Sequence, residues 1–196
     1  MRTMKRGCSA FVLAIITATG CGSSQQRNEG IQQMQKLQAA IHGLHLLVSA
    51  GVNKQEYSQR FEDVLLIVGD LDQNEAATLP RFPQSEQPTV RFIYADLSQS
   101  LAAYKKARDY FGDSFEGYAC EEGCAFFPEN EYDAARQEFP TLAQLSYGPE
   151  ITWYKDSSGN IVGHAYRRSE MLQALWKLAG EEDDKANQLI NQLGKG

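Results

Sequence analysis

The chain has 196 residues, with 19 Lys and Arg against 25 Asp and Glu, and a net charge of −6. Nucleic-acid binding depends on clustered basic side chains that replace the counterions of the phosphates, and this acidic chain has no basic stripe. Its composition therefore argues against a nucleic-acid partner, while its length suits one domain with a sizeable core.

Residues 1–20 have the organisation of a secretory signal peptide. Three basic residues, Arg2, Lys5 and Arg6, precede an uncharged and largely apolar stretch from Cys8 to Thr19. A helix that crosses a bilayer needs about 20 apolar residues, so this stretch is too short to span comfortably. A buried N-terminal helix is the alternative, but such a helix needs neither the basic cluster before it nor the polar tract behind it. We therefore predict a signal peptide.

Residues 18–21 carry the most specific motif of the chain. Ala18-Thr19-Gly20-Cys21 resembles the lipobox of bacterial lipoproteins, with Ala18 at the position where leucine is usual. The resemblance implies that Cys21 is acylated, for example with palmitate, becomes the first residue of the mature chain and holds that chain on the lipid bilayer. Gly22 follows where an aspartate would signal retention in the inner membrane. In a Gram-negative cell the resemblance therefore favours the outer membrane, facing the periplasm.

The mature chain is expected to start with a tether. Residues 21–29 hold the lipidated cysteine and the polar sequence GSSQQRNE, which can extend by about 3.3 Å per residue. The fold is expected to start near Gly30 and to form a single mainly helical domain over residues 30–196. Removal of residues 1–20 takes away three basic and no acidic residues and changes the net charge from −6 to −9.

Three apolar stripes with helical spacing follow the tether. The first stripe ends at Gly51, Asn53 and Glu56 form a capping arrangement before the second, and the third ends at Gly112. Residues 74–89 contain three of the six prolines and are predicted to be a surface connection. The stripes are Ile31, Met34, Leu37, Ile41, Leu44 and Val48; Tyr57, Phe61, Val64, Leu65, Val68 and Leu71; and Val90, Ile93, Tyr94, Leu97, Leu101, Tyr104 and Phe111.

The second half of the chain is less regular. Residues 130–146 have a helical pattern that Pro140 should kink or divide. ITWYKD and IVGHAY, at 151–156 and 161–166, flank the turn sequence SSGN and predict a small β-hairpin.

Two further helices complete the expected fold. One begins at Ser169 and ends at Gly180, and the other contains Leu189, Ile190 and Leu193. The sequence thus predicts a mainly α fold, a helical bundle of about five to six helices with a small β-hairpin and one disulfide-closed loop.

The disulfide is predicted from the four cysteines of the chain. Cys8 leaves with the signal peptide and Cys21 is expected to carry lipid. Outside the cytoplasm the remaining pair, Cys120 and Cys124, predicts one disulfide. A redox-active pair is the alternative, but reactive cysteines usually have a positive charge nearby, and here two glutamates lie between them.

Candidate metal ligands are few. His42 and His45 lie one turn apart on the first helix, but no further ligand motif completes a zinc site. The acidic run from Glu181 to Asp184 lacks the spacing of a calcium loop and is predicted to start a helix, where negative charge is stabilising. We therefore predict neither a metal nor a cofactor.

Candidate functional residues remain among the aromatic side chains of the second half. The chain contains neither a GxSxG motif nor a phosphate-binding glycine loop, and no catalytic residue is predicted. Aromatic residues are enriched at protein interfaces, which makes Phe126, Phe127 and Tyr154 candidate partner contacts, with completion of the core as the alternative.

Together with the lipobox resemblance, these patterns predict a membrane-anchored extracytoplasmic lipoprotein of the cell envelope. Its body is expected to be a non-enzymatic binding or assembly module with a protein partner. Contacts are expected over residues 112–168, because irregular segments on a rigid scaffold often carry binding surfaces. Two alternatives stay open: an immunity or inhibitor protein against an exported toxin, and an anchored hydrolase.

Overall fold

The structure is a computed structural model. It describes the backbone of residues 19–112, 124–128, 137–139, 153–155, 158 and 161–195, and the side-chain surroundings of 23–110, 137–139, 158 and 171–195.

The described part of the chain is mainly helical, as the sequence predicts. The elements in chain order are α1 (Thr19–Ala50), α2 (Lys54–Val68), α3 (Leu71–Thr78), the 3₁₀ helix η1 (Leu79–Arg81), α4 (Gln87–Gly112), β1 (Cys124–Pro128), β2 (Trp153–Lys155), β3 (Ile161–Arg167) and α5 (Arg168–Lys195). Helices α1, α2, α4 and α5 contribute most of one hydrophobic core. Among the described helices, none has both the length and the apolar composition needed to cross a bilayer.

The helical hairpin of α1 and α2 forms where the stripes predict it. Gly51 ends α1 with a φ of 85°, a conformation that favours glycine, and its N–H bonds to the Val48 carbonyl at 3.2 Å. Asn53 then caps α2, because its side-chain oxygen accepts the Glu56 N–H at 2.9 Å. The predicted core positions of α1 that are buried are Ile31, Met34, Leu37, Ile41 and Leu44, and those of α2 are Tyr57, Phe61, Val64 and Val68.

The prediction that residues 74–89 form only a surface connection is wrong. Helices α3 and η1 occupy the first part of this segment, and Phe82 is 3% exposed. The ring of Phe82 occupies space beside Gly30, where a Cβ would lie 2.5 Å from a ring carbon. The hydroxyl of Thr78 adds a buried hydrogen bond of 2.9 Å to that of Tyr94. The connection therefore contributes Thr78 and Phe82 to the core, while its other residues are exposed or half-buried.

Helix α5 runs antiparallel to both α1 and α4. Later residues of α1 and of α4 contact earlier residues of α5, and the helices form a bundle. The pairs that fix these directions are Arg27 with Leu193, His42 with Asp183 and Ser100 with Ala179, together with Phe92 and Leu189, which line one groove.

The predicted helix end at Gly180 is wrong, because α5 continues from Arg168 to Lys195. Gly180 is buried, and a Cβ at this position would lie 2.7 Å from Nδ1 of His45. The glycine marks the close approach of two helices, and the contact with α1 compensates for its low helix propensity.

The start of the fold also differs from the prediction. The structure places residues 21–29 inside α1, where an extended tether was expected, so the helix begins well before Gly30. The physical reason lies in Arg27, whose guanidinium bonds to Glu86 and to the carbonyl of Leu193 and so holds the early turns of α1 in the bundle.

Three short strands form an antiparallel sheet in the order β1-β3-β2. Strand β2 pairs with one edge of β3, with Tyr154 opposite Gly163, and β1 pairs with the other edge, with Phe126 opposite Ala165. Most of the helix predicted over 130–146 lies outside the described residues.

Exchange of Gly30 for alanine is expected to lower the free energy of unfolding by about 1–3 kcal/mol, because the new Cβ would lie 2.5 Å from the buried ring of Phe82. Gly43 in the same helix provides the matched control. The nearest atom to its Cβ, in Arg60, is 3.7 Å away, so Gly43→Ala should stabilise the chain by up to about 1 kcal/mol through helix propensity. Urea denaturation compares the variants, and shifts of the same sign and size would contradict the close packing at Gly30.

Candidate functional site

A buried carboxyl group joins α1 to α5. Asp183 is 1% exposed, and its Oδ2 lies 2.7 Å from Nδ1 of His42. Its Oδ1 accepts a hydrogen bond of 3.0 Å from Nε2 of Gln38, one turn earlier in α1. Both carboxyl oxygens of Asp183 are therefore paired across the interface, as a buried polar group requires.

The second histidine of α1 belongs to the same cluster. The rings of His42 and His45 stack with centroids 5.7 Å apart. Nδ1 of His45 is buried without a hydrogen-bond partner among the described residues and faces the backbone of α5 at Gly180. His45 thus acts in packing, whereas His42 binds Asp183.

The acidic run of α5 does not start a helix, which corrects the prediction made for it. Glu181 to Asp184 lie in the middle of α5, and Asp183 points into the core. The pattern failed because the break expected at Gly180 placed these residues at a new helix start. Within the described residues, no group of three or more His, Cys, Asp and Glu side chains is arranged to hold a metal ion.

Burial controls the electrostatics of this cluster. Loss of solvent raises the pKa of Asp183, and the hydrogen bonds from His42 and Gln38 oppose that rise. Burial also raises the pKa of Tyr104, with the negative charge of Asp183 as a further cause. The fully paired carboxyl group is positioned to hold two helices together.

A surface groove between α4 and α5 offers different chemistry. It has a volume of about 340 Å³ and opens to solvent, and its lining residues are Phe92, Asp96, Lys185, Gln188, Leu189 and Gln192. Phe92 is 64% exposed, which is unusual for a large aromatic side chain. The exposed ring of Phe92 and the half-buried Leu189 make part of the groove apolar.

Acidic groups predominate around the charged side of the groove. Nζ of Lys185 donates to Glu182 at 2.7 Å, and this bond, with the charges of Glu182, Asp96 and Glu181, raises the pKa of Lys185. Burial raises the pKa of Asp96, the neighbouring charge of Glu182 adds to the rise, and the charge of Lys185 opposes it.

The residues predicted from the sequence are dispersed along the fold. Cys21 lies in the first turn of α1, Cys124 starts β1, and Cys120 lies outside the described residues. Phe126 and Phe127 are consecutive in β1, and Tyr154 lies in β2.

Sequence reasoning missed the groove, although a signal was present. Phe92 lies off the apolar stripe of α4, which follows Val90, Ile93 and Leu97. A large apolar residue outside a helix's core face is a candidate contact residue. No protein family, curated protein or solved structure matches the chain.

The raised pKa of Asp183 predicts a defined pH dependence of stability. Since folding raises this pKa above the ordinary value of 3.8, the carboxyl group favours folding most at low pH, and this contribution is lost as the pH rises through the raised pKa. The stability of the native chain relative to Asp183→Asn should therefore fall as the pH rises from the ordinary carboxyl pKa of 3.8 through the raised one. Urea denaturation at a series of pH values measures this difference, and a constant or rising difference would contradict the buried carboxyl group.

Proposed function

We propose that the chain is a lipid-anchored extracytoplasmic protein of the cell envelope that binds a protein partner without catalysing a reaction. The exposed ring of Phe92 in the groove between α4 and α5 is the observation that carries the binding part of this proposal. The lipobox resemblance at residues 18–21 supports the anchor, with the outer membrane facing the periplasm as the expected site in a Gram-negative cell.

The groove favours a helix as the bound element. Its lining residues recur at helical spacing on two antiparallel helices, so a further helix laid along them would extend the bundle by the same packing. An apolar side chain of the partner would lie between Phe92 and Leu189. A Lys or Arg one turn away would face the carboxylate of Asp96 and offset its repulsion with Glu182, in addition to the cation that Lys185 already supplies. The proposed partner segment is thus an amphipathic helix with basic residues beside its apolar face.

The irregular half of the chain keeps its predicted roles within this proposal. Phe126, Phe127 and Tyr154 stay candidate contacts of a second surface, and Cys120 and Cys124 stay the predicted disulfide. In the sheet, Tyr154 and Pro128 lie opposite Gly163 on either side of β3, so Tyr154 is level with the end of β1 that is remote from Cys124.

The anchor predicts the behaviour of a cysteine variant. Cys21→Ser should leave the protein unprocessed or soluble, because acyl chains are then missing and a single helix end does not hold a chain on a bilayer. Cys8→Ser is the matched control, since Cys8 lies in the predicted signal peptide and should leave anchoring intact. Detergent-phase partitioning of both variants measures the effect. A Cys21→Ser chain that is processed to the native size and still enters the detergent phase as the native chain does would contradict the anchor.

The binding surface predicts site-specific crosslinking in cells. A photoactivatable residue at position 92 should capture a discrete protein, whereas the same residue at position 59 should not. Gln59 is the matched control because it is a polar, exposed residue of α2, away from the groove. Asp96→Asn should weaken capture from position 92 because it removes the carboxylate offered to the partner's cation.

The identity of the captured protein distinguishes the alternatives. A resident envelope protein would support the assembly function, and an exported toxin would favour the immunity function. Equal capture from positions 92 and 59, or none from either, would contradict the groove as the binding surface. Turnover of a cell-wall or lipid substrate by the purified chain would contradict the non-enzymatic reading.

A further inference from the structure

Helix α1, which packs in the core, also contains the predicted lipidation site, Cys21. Helix α1 runs without interruption from Thr19 to Ala50, so Cys21 lies in its first turn. A helix rises about 1.5 Å per residue, which places Cys21 about 9 Å along the axis from Arg27. An extended tether of the same length would span about 20 Å and could point in any direction.

Arg27 ties this part of α1 to two other helices. Its Nε and Nη2 donate to the carboxylate of Glu86, at 2.9 and 3.2 Å, just before α4 begins. Nη2 also donates to the carbonyl of Leu193 near the end of α5. The side chains of Arg27 and Glu86 are only 19% and 28% exposed, so this is a partly buried bidentate pair rather than a loose surface contact.

The next turn of α1 is fixed in the same way. Glu29 lies 3.4 Å from Arg81 of η1, and Gly30 is packed on the ring of Phe82. The start of α1 therefore belongs to the rigid body of the bundle, and little flexible chain separates that body from Cys21.

We propose that the lipid on Cys21 mounts the bundle directly on the bilayer, with the end formed by Arg27, Glu86 and Leu193 against the headgroups and the turn between α1 and α2 pointing away. This inference rests on the anchor in the proposed function. The charges at the mounted end suit this position, because Arg27 and Arg81 are each paired with a carboxylate. The chain as a whole is acidic, and anionic headgroups would repel it if it lay flat.

This attachment through Cys21 would also set the distance between the groove and the bilayer. Phe92 lies in the second turn of α4 and Leu189 lies one turn before Leu193, so the groove is in the half of the bundle nearest the anchor. A partner helix that leaves the same membrane would therefore meet the groove without crossing a long gap.

Energy transfer to the bilayer tests the mount. The full lipidated chain is added to preformed vesicles of phosphatidylethanolamine and phosphatidylglycerol that contain an acceptor on the headgroups. A fluorescent non-canonical residue replaces Gln84, exposed near the mounted end, or Gln55, exposed near the far turn. The helical stretch from residue 27 to residue 50 corresponds to about 35 Å, so transfer should be strong from position 84 and weak from position 55.

Two insertions of equal length between Ser24 and Gln25 provide the matched controls. A helix-forming insertion of roughly seven residues should move both labels away from the acceptor by about 10 Å and keep their order. A Gly/Ser insertion of the same length should make the two transfer efficiencies similar, because it introduces the tether that the native chain lacks. Unchanged melting temperatures would show that both variants keep the fold.

The outcomes separate the mount from the anchor. Equal transfer from the two positions in vesicle-bound native chain, or the same response to both insertions, would overturn the mount and leave the anchor intact. A chain that stays in the supernatant would overturn the anchor and the mount together.

Discussion

The carboxyl group of Asp183 determines how the last helix fits the rest of the bundle. Asp183 is a buried residue of α5, and its carboxyl group bonds to two side chains of α1, His42 and Gln38. Apolar stripes alone allow two helices to slide by a turn, about 5.4 Å, with little loss of contact. A slide at this interface would leave a buried carboxyl group without hydrogen-bond partners, which costs about 1–3 kcal/mol. The same register places the backbone of Gly180 against the ring of His45.

The surface features follow from that register. With α5 fixed on α1, its other side meets α4, where Ser100 donates to the Ala179 carbonyl at 2.8 Å. One flank of this α4–α5 contact carries Phe92 and Leu189 and so forms the groove. At the end of the bundle where α1 begins, the same placement of α5 brings the Leu193 carbonyl to Arg27. This hydrogen bond holds the start of α1. The proposed binding surface and the proposed mount therefore depend on one set of helix contacts.

Features that depend on local sequence were predictable, and those that depend on distant contacts were not. Periodicity gave the core faces of α1, α2 and α4, and Asn53 was recognisable as a cap because its partner is three residues away. Gly180 was predicted to end a helix, but it is a glycine because it packs against His45. His45 is distant in sequence, so the residues around Gly180 do not indicate this contact. The burial of Asp183 was missed for the same reason. Residues 21–29 suggested a polar tether because the partners that hold Arg27 are more than fifty residues distant.

The most direct test of this account is the coupling between His42 and Asp183. The free energies of unfolding of the native chain, His42→Ala, Asp183→Ala and the double variant form a double-mutant cycle at neutral pH. A bond that fixes the register of a buried interface should give a coupling energy of at least about 1 kcal/mol. Additivity of the two substitutions within about 0.3 kcal/mol would contradict it, since the helices would then be held in register by other contacts.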